Sequence, residues 1–270
     1  MEFNERLREV CRKKNSLLAI GLDGDLEKLP PFLMDFESPI TEFNKSIINA
    51  TADLVCAYKI NTAFYEQFGI QGCRSMKKTI ELIPDDVLII LDGKRADIGH
   101  SSAKYAKAMF HEHKADAVTV NPYLGHDSVE PFLFDETKGV FMLCLTSNPG
   151  ANDFQFLKTG KGRLFERVAE RAAAWNEKGN LGLVVGGTYA GELKQIREIA
   201  PGLPILIPGI GTQGGNLEKS LRLGCDDKGE SVIITVSRSI LYASDDLEFA
   251  AKSRDAARQM KDEINRIRKS

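Results

Sequence analysis

The sequence predicts an α/β fold of the (β/α)8, or TIM, barrel type, on three observations. Short apolar runs recur eight times along the chain, and stretches of helical period lie between them. The polar residues that have no place in an apolar pattern gather just after the runs, where barrel enzymes carry their chemistry. At 270 residues, 43% hydrophobic and 27% charged, the chain has ample core material, and barrels often reach this length as a single domain. No linker, low-complexity tract or internal repeat divides it, so one domain over 1–270 is expected.

A helical stretch over 3–14 opens the chain, and the first run, 17–22, ends at Asp23. The second, 54–60, carries Lys59 at its end, and the third, 87–91, leads into Asp92-Gly93-Lys94. Residues 101–114 then read as a helix, with Tyr105, Ala108 and Met109 on one face and Lys104 and Lys107 elsewhere. The fourth run is 115–120; the fifth, 139–145, is followed by Thr146-Ser147-Asn148-Pro149-Gly150. Segment 148–162, with three glycines and few apolar residues, is expected to form a mobile lid. An amphipathic helix over 164–178 leads to the sixth run, 181–185, and Gly186-Gly187-Thr188. The seventh, 204–207, precedes Gly209 to Gly215; the eighth, 231–236, precedes Ser237-Arg238 and a helix over 247–267. Runs so rich in Val, Ile and Leu, each near a Gly, Pro or Asp break, read as parallel strands buried on both faces. A doubly wound open sheet has the same alternation, which does not by itself show closure.

The formal net charge of −2 gives no reason to expect nucleic acid or an anionic membrane as partner. No apolar run is long enough to span a bilayer, and Met1-Glu2-Phe3-Asn4-Glu5-Arg6 lacks the apolar core of a signal peptide, so a cytoplasmic protein is expected. The cysteines (Cys11, Cys56, Cys73, Cys144 and Cys225) are scattered, with no C-x-x-C pair, which speaks against a disulfide scaffold or a thiolate zinc site. His111-Glu112-His113 lacks the spacing of a helical metal pair, and no metal is expected.

The chemistry concentrates in Leu91-Asp92-Gly93-Lys94-Arg95-Ala96-Asp97-Ile98. Asp92 and Lys94 are two residues apart and share a face of an extended chain, while Asp97 lies beyond the strand end. Three charges at one strand terminus are costly unless they pair or serve a charged ligand. Gly209-Ile210-Gly211-Thr212-Gln213-Gly214-Gly215 matches the dinucleotide pattern formally, but it follows the seventh run instead of the first. In a barrel, the loops after strands seven and eight commonly bind phosphate: glycines admit backbone N–H groups to the oxygens, and Arg238 adds a forked charge.

Together these residues resemble the orotidine 5′-phosphate decarboxylase family, in particular its longer bacterial branch. The resemblance runs from about Leu17 to about Tyr242 and rests on four segments in order. They are the D-x-K-x-x-D-I segment, Lys59-Ile60-Asn61 with Ala63-Phe64-Tyr65-Glu66, Ser147-Asn148-Pro149-Gly150, and Val236-Ser237-Arg238-Ser239. It implies a barrel that forms a homodimer with shared active sites and converts orotidine 5′-monophosphate to uridine 5′-monophosphate without metal or organic cofactor. By motif, Lys94 matches the proton donor to C6, and Lys59, Asp92 and Asp97 complete an alternating charge network, with Asp97 serving the partner's site. Asp23 matches the carboxylate near the ribose hydroxyls, Ser147 the hydroxyl on the pyrimidine, and Gln213 and Arg238 the phosphate ligands. The family usually has threonine where this chain has Ser101; the hydroxyl is kept and only a methyl contact is lost.

The chemistry accounts for these residue types. Loss of carbon dioxide from C6 leaves charge in an sp² orbital that the ring cannot delocalise, so a cation is needed there in advance. Lys94 meets that need and can then act as general acid. Burial would strip the proton from such a lysine, and flanking carboxylates oppose this. Three other readings stay open on the residues alone. Sugar-phosphate relatives share D-x-K-x-x-D but use magnesium and typically carry an acid where Lys59 stands. A Schiff-base lysine at Lys59 or Lys94 would make an aldolase, which the flanking aspartates disfavour. A degenerate barrel would bind nucleotide without turnover.

Overall fold

The first and last strands pair with each other, which decides between a barrel and an open sheet. In the computed structural model, which describes residues 1–211 and 214–270, eight parallel strands form one closed barrel. They are β1 (Leu18–Gly21), β2 (Ala57–Asn61), β3 (Leu88–Arg95) and β4 (Ala117–Val120), then β5 (Gly139–Leu145), β6 (Leu181–Val185), β7 (Ile205–Ile207) and β8 (Val232–Val236). Each strand pairs with its neighbours in sequence, and closure aligns Leu18 of β1 with Ile234 of β8. On its other side β1 aligns Gly21 with Lys59 of β2. Except at the C-terminal ends of β2 and β3 and at Leu143 in β5, the strand residues are buried, as the continuous apolar runs require.

Helices surround this core: α1 (Phe3–Lys14), α2 (Pro39–Thr51), α3 (Gly69–Glu81), α4 (Gly99–Lys107), α5 (His126–Val129), α6 (Leu164–Trp175), α7 (Ala190–Ile199), α8 (Leu217–Gly224) and α9 (Phe249–Arg268). None among the described residues is long and apolar enough to cross a membrane. The first, α1, buries Phe3, Leu7 and Cys11 at spacings of four, a single apolar stripe. It caps the N-terminal end of the barrel: Phe3 packs edge-on against Phe141 at 6.1 Å, and the Phe3 amide donates to Glu136 O at 2.8 Å. That leaves the C-terminal end of the strands open for a site.

Several boundaries differ from the sequence reading. The second strand begins at Ala57, because Thr51 to Leu54 closes a turn in which Leu54 N donates to Thr51 O. The third runs on to Arg95, but its register with β4 breaks between Leu91 and Arg95. The helix expected over 101–114 starts at Gly99 and ends in a π-helical turn, Ala108–Glu112. Between β4 and β5 the chain makes only short turns and the four-residue α5, since Pro122, Gly125 and Pro131 interrupt any longer helix. Segment 148–162 holds a short helix, Ala151–Phe154, and the turn of a hairpin that pairs Thr159 with Gly162. Gln155 anchors it to the end of β5, donating to Thr146 Oγ1 at 2.8 Å and accepting from Thr146 N at 2.7 Å.

Candidate active site

A cavity of about 460 Å³ opens at the C-terminal end of the barrel. Its lining includes Asp23, Lys59, Asn61 and Asp92 on one side and Gly209 and Arg238 on the other. Acidic and basic groups alternate along its floor. Lys59 Nζ lies 3.2 Å from Asp23 Oδ2 and 3.3 Å from Asp92 Oδ2, with its side chain only 6% exposed. Lys94 Nζ then lies 2.7 Å from the other Asp92 oxygen, Oδ1. Both aspartates have further donors. Asn61 N donates to Asp23 Oδ1 at 3.0 Å and Ser237 Oγ to Asp23 Oδ2 at 3.2 Å. Thr119 Oγ1 donates to Asp92 Oδ1 at 2.8 Å.

This pairing keeps buried groups ionised. Burial alone would raise the Asp92 carboxyl, but Lys59, Lys94 and the Thr119 hydroxyl outweigh it and hold it at about 2. Burial likewise works against the Lys59 charge, and Asp23 and Asp92 overcome it, so the ammonium is held above its ordinary value. The result is a preorganised row of fixed charges, suited to a reaction that develops a localised charge.

Asp92 and Lys94 meet as the alternation of side chains implies, although the backbone reaches that contact differently. Lys94 has φ +46°, in the left-handed region, at the break in register between β3 and β4. Arg95 points away from Lys94, pairs with Glu66 and lies over the Tyr105 ring at 5.4 Å. A Cβ at Gly93 would lie 2.3 Å from Met109 Cε, so the flexible end of that side chain would have to move.

At the opposite wall, Gly209 and Gly211 have φ near +90°, which glycine alone adopts without strain. The loop folds back there, with Gly215 N donating to Gly209 O at 3.2 Å. Arg238 begins a short helix, Arg238–Leu241, after β8, and its exposed guanidinium forms no ion pair among the described residues.

Of the residues singled out in the sequence, Asp23, Lys59, Asp92 and Arg238 line one cavity, and Lys94 is bonded to it through Asp92. Asp97 is not brought to this cluster. Its Oδ1 accepts from Ile98 N at 2.8 Å, and it forms no ion pair among the described residues of its own chain. Ser101 lies in the first turn of α4, half-buried, and Ser147 follows the end of β5 against Gly186, where a Cβ would meet Ser147 N at 2.8 Å. Neither lines the cavity described. Gln213 lies outside the described residues. Asn61, Ser237 and Thr119 were not singled out as site residues. Asn61 shares a strand face with Lys59 and Ser237 adjoins Arg238, so spacing could have found both; Thr119 sits unmarked in the run Ala117–Val120.

The comparisons with known proteins agree with this geometry. The orotidine 5′-phosphate decarboxylase / HUMPS family pattern matches residues 17–253. The chain belongs to this family. An orotidine 5′-phosphate decarboxylase of Dehalococcoides mccartyi is 50% identical over 273 residues, covering 100% of this chain and 99% of that protein. Another, from Thermomicrobium roseum, is 49% identical over 272 residues, covering 100% and 97%. The solved OMP decarboxylase structure of Leishmania donovani superimposes with a TM-score of 0.88 at 39% identity over 100% of both chains. Similarity to this family therefore extends over the whole barrel, as well as the charge-bearing strand ends.

Proposed function

We propose that this member of the family is a carboxy-lyase that converts orotidine 5′-monophosphate to uridine 5′-monophosphate, without cofactor, with Lys94 as proton donor. The observation that carries the reading is the row Asp23, Lys59, Asp92 and Lys94, each within 3.3 Å of the next, of which the first three line the cavity and Lys94 joins it through Asp92. Departure of carbon dioxide leaves an electron pair at C6, and the bond that replaces C–C is a C–H bond whose proton comes from the Lys94 ammonium. The fixed charges need no reorganisation as that electron pair forms. Asp92 holds Lys94 by one oxygen and Lys59 by the other, which orients the donor.

Lys59 also separates this reading from the magnesium-dependent sugar-phosphate chemistry of similar barrels. An ammonium stands between the Asp23 and Asp92 carboxylates, where a divalent ion would need oxygen ligands. Phosphate is assigned to the wall formed by Gly209 and Arg238, with Gln213 as a further ligand, and the ribose hydroxyls to Asp23. Ser147 is assigned to the pyrimidine, and Ser101 is assigned to substrate binding. Binding energy at the phosphate, far from C6, is then available to exclude water and close loops.

The proposal includes a homodimer in which Asp97 completes the partner's charge row, and a single barrel domain acting in the cytoplasm, where a charged nucleotide is accessible. Asp97, without an ion pair among the described residues and next to Ile98 at 64% exposure, supports an interface there. The test is the ultraviolet absorbance of orotidine 5′-monophosphate mixed with the protein and excess EDTA. Loss of the orotate chromophore is expected. No change in chelator, with magnesium-dependent turnover of a sugar phosphate instead, would contradict it.

A further inference from the structure

We propose that Thr119 is a positioning residue for Lys94, acting at both ends of that residue through one hydroxyl. The inference rests on the reading of Lys94 as the proton donor. Thr119 lies within β4 and is 1% exposed. Its oxygen is 2.9 Å from Lys94 N and 2.8 Å from Asp92 Oδ1. A backbone N–H only donates, so the hydroxyl oxygen accepts there, and its own proton is directed to the carboxylate, which only accepts. The same Asp92 oxygen receives Lys94 Nζ at 2.7 Å. Thr119 therefore holds the Lys94 backbone directly and the Lys94 ammonium through Asp92.

Lys94 has a particular need of this hold. A side chain with a Cβ is disfavoured in the left-handed region and stays there only when its surroundings over-determine it. The sheet does not do so. Pairing with β2 ends at Asn61 and Asp92, and pairing with β4 breaks off at Leu91 and resumes at Arg95. Lys94 thus has no partner residue in either neighbouring strand, and the Thr119 hydroxyl supplies the bond the ladder omits. Beyond the break, Arg95 aligns with Val120 and Asn121 N donates to Arg95 O at 3.0 Å, where both strands end. Valine, as at Val118 and Val120 beside it, would fill the same space and make neither bond.

The test compares Thr119→Val and Thr119→Ser with the unmodified protein in steady-state turnover of orotidine 5′-monophosphate, with uridine 5′-monophosphate affinity measured alongside. Loss of the hydroxyl in Thr119→Val is expected to lower kcat about tenfold or more, because a donor held less firmly misses the near-attack geometry. KM and product affinity are expected to stay within about threefold, since the hydroxyl acts through Lys94 and Asp92. Thr119→Ser, which keeps the hydroxyl, is expected to return most of kcat. Should Thr119→Val fail to fold, Thr119→Ala is compared with Thr119→Ser in the same way. Wild-type kcat in the hydroxyl-free variant, or equal loss in the serine variant, would overturn the inference while the decarboxylase reading stands. Absence of turnover by the unmodified protein would overturn that reading, and this inference with it.

Discussion

Lys94 Nζ lies 2.7 Å from Asp92 Oδ1, yet the two side chains stand on opposite sides of a solvent boundary: 45% of Lys94 is exposed and 12% of Asp92. The carboxylate is the fixed end of the pair, held also by Lys59 and Thr119. The ammonium is the end open to a ligand. An arrangement of this kind presents a donor group at a set position.

The first prediction concerns acid stability. The folded Asp92 carboxyl, at about 2, lies below the ordinary unfolded value of about 3.9. Its contribution is therefore complete above that unfolded value and lost as pH falls through the folded one, an effect of about 2 kcal/mol. Urea unfolding from about pH 5 toward about pH 2 should show Asp92→Asn losing less stability than the parent by that order. Identical pH dependence in the two would show that Asp92 is not held ionised as described.

Arg238 is exposed at the start of its helix and has no ion pair to lose among the described residues, so its removal should leave folding intact. Charge-assisted bonds to phosphate are worth about 1.5–3 kcal/mol, so Arg238→Ala should weaken uridine 5′-monophosphate about 10- to 100-fold. Isothermal titration measures this directly. A matching loss for uridine, which has no phosphate, would place Arg238 elsewhere in the site.

If Asp97 serves the partner's site, Lys94→Ala and Asp97→Asn are defects of different subunits. Each protein alone should be nearly inactive. Mixed after dissociation in equal amounts, they should recover about a quarter of wild-type activity, because half the dimers are hybrids with one intact site each. No recovery, with hybrids demonstrated by mass, would confine Asp97 to its own chain.

At the opposite end of the barrel, a Cβ at Gly139 would lie 2.2 Å from the Phe3 ring. Gly139→Ala should displace α1 and lower stability by about 1–3 kcal/mol, as overpacked cores do. Product affinity should be unchanged, since the cavity is at the other end of the strands. Denaturant unfolding and titration of uridine 5′-monophosphate separate the two effects.

Much of the site was legible because charges at strand ends violate the pattern around them. Lys59, Asp92 and Lys94 each interrupt or terminate an apolar run, and a barrel brings such ends together. The left-handed turn at Lys94 was not legible: strand alternation predicts the same side-chain contact without a break in register. Thr119 was hidden for the opposite reason, since threonine between valines is ordinary strand composition and only the neighbouring strand reveals its bonds. The missing long helix between β4 and β5 was foreshadowed by Pro122, Gly125 and Pro131, which outweigh the alternation elsewhere.

The most direct test of the central claim is turnover of orotidine 5′-monophosphate by Lys94→Ala beside the unmodified protein, with uridine 5′-monophosphate affinity measured on both. With Lys94 as proton donor and fixed cation, kcat should fall at least about 10³-fold while the product still binds. Turnover near the wild-type rate in Lys94→Ala would contradict the assignment and move the proton source to another group.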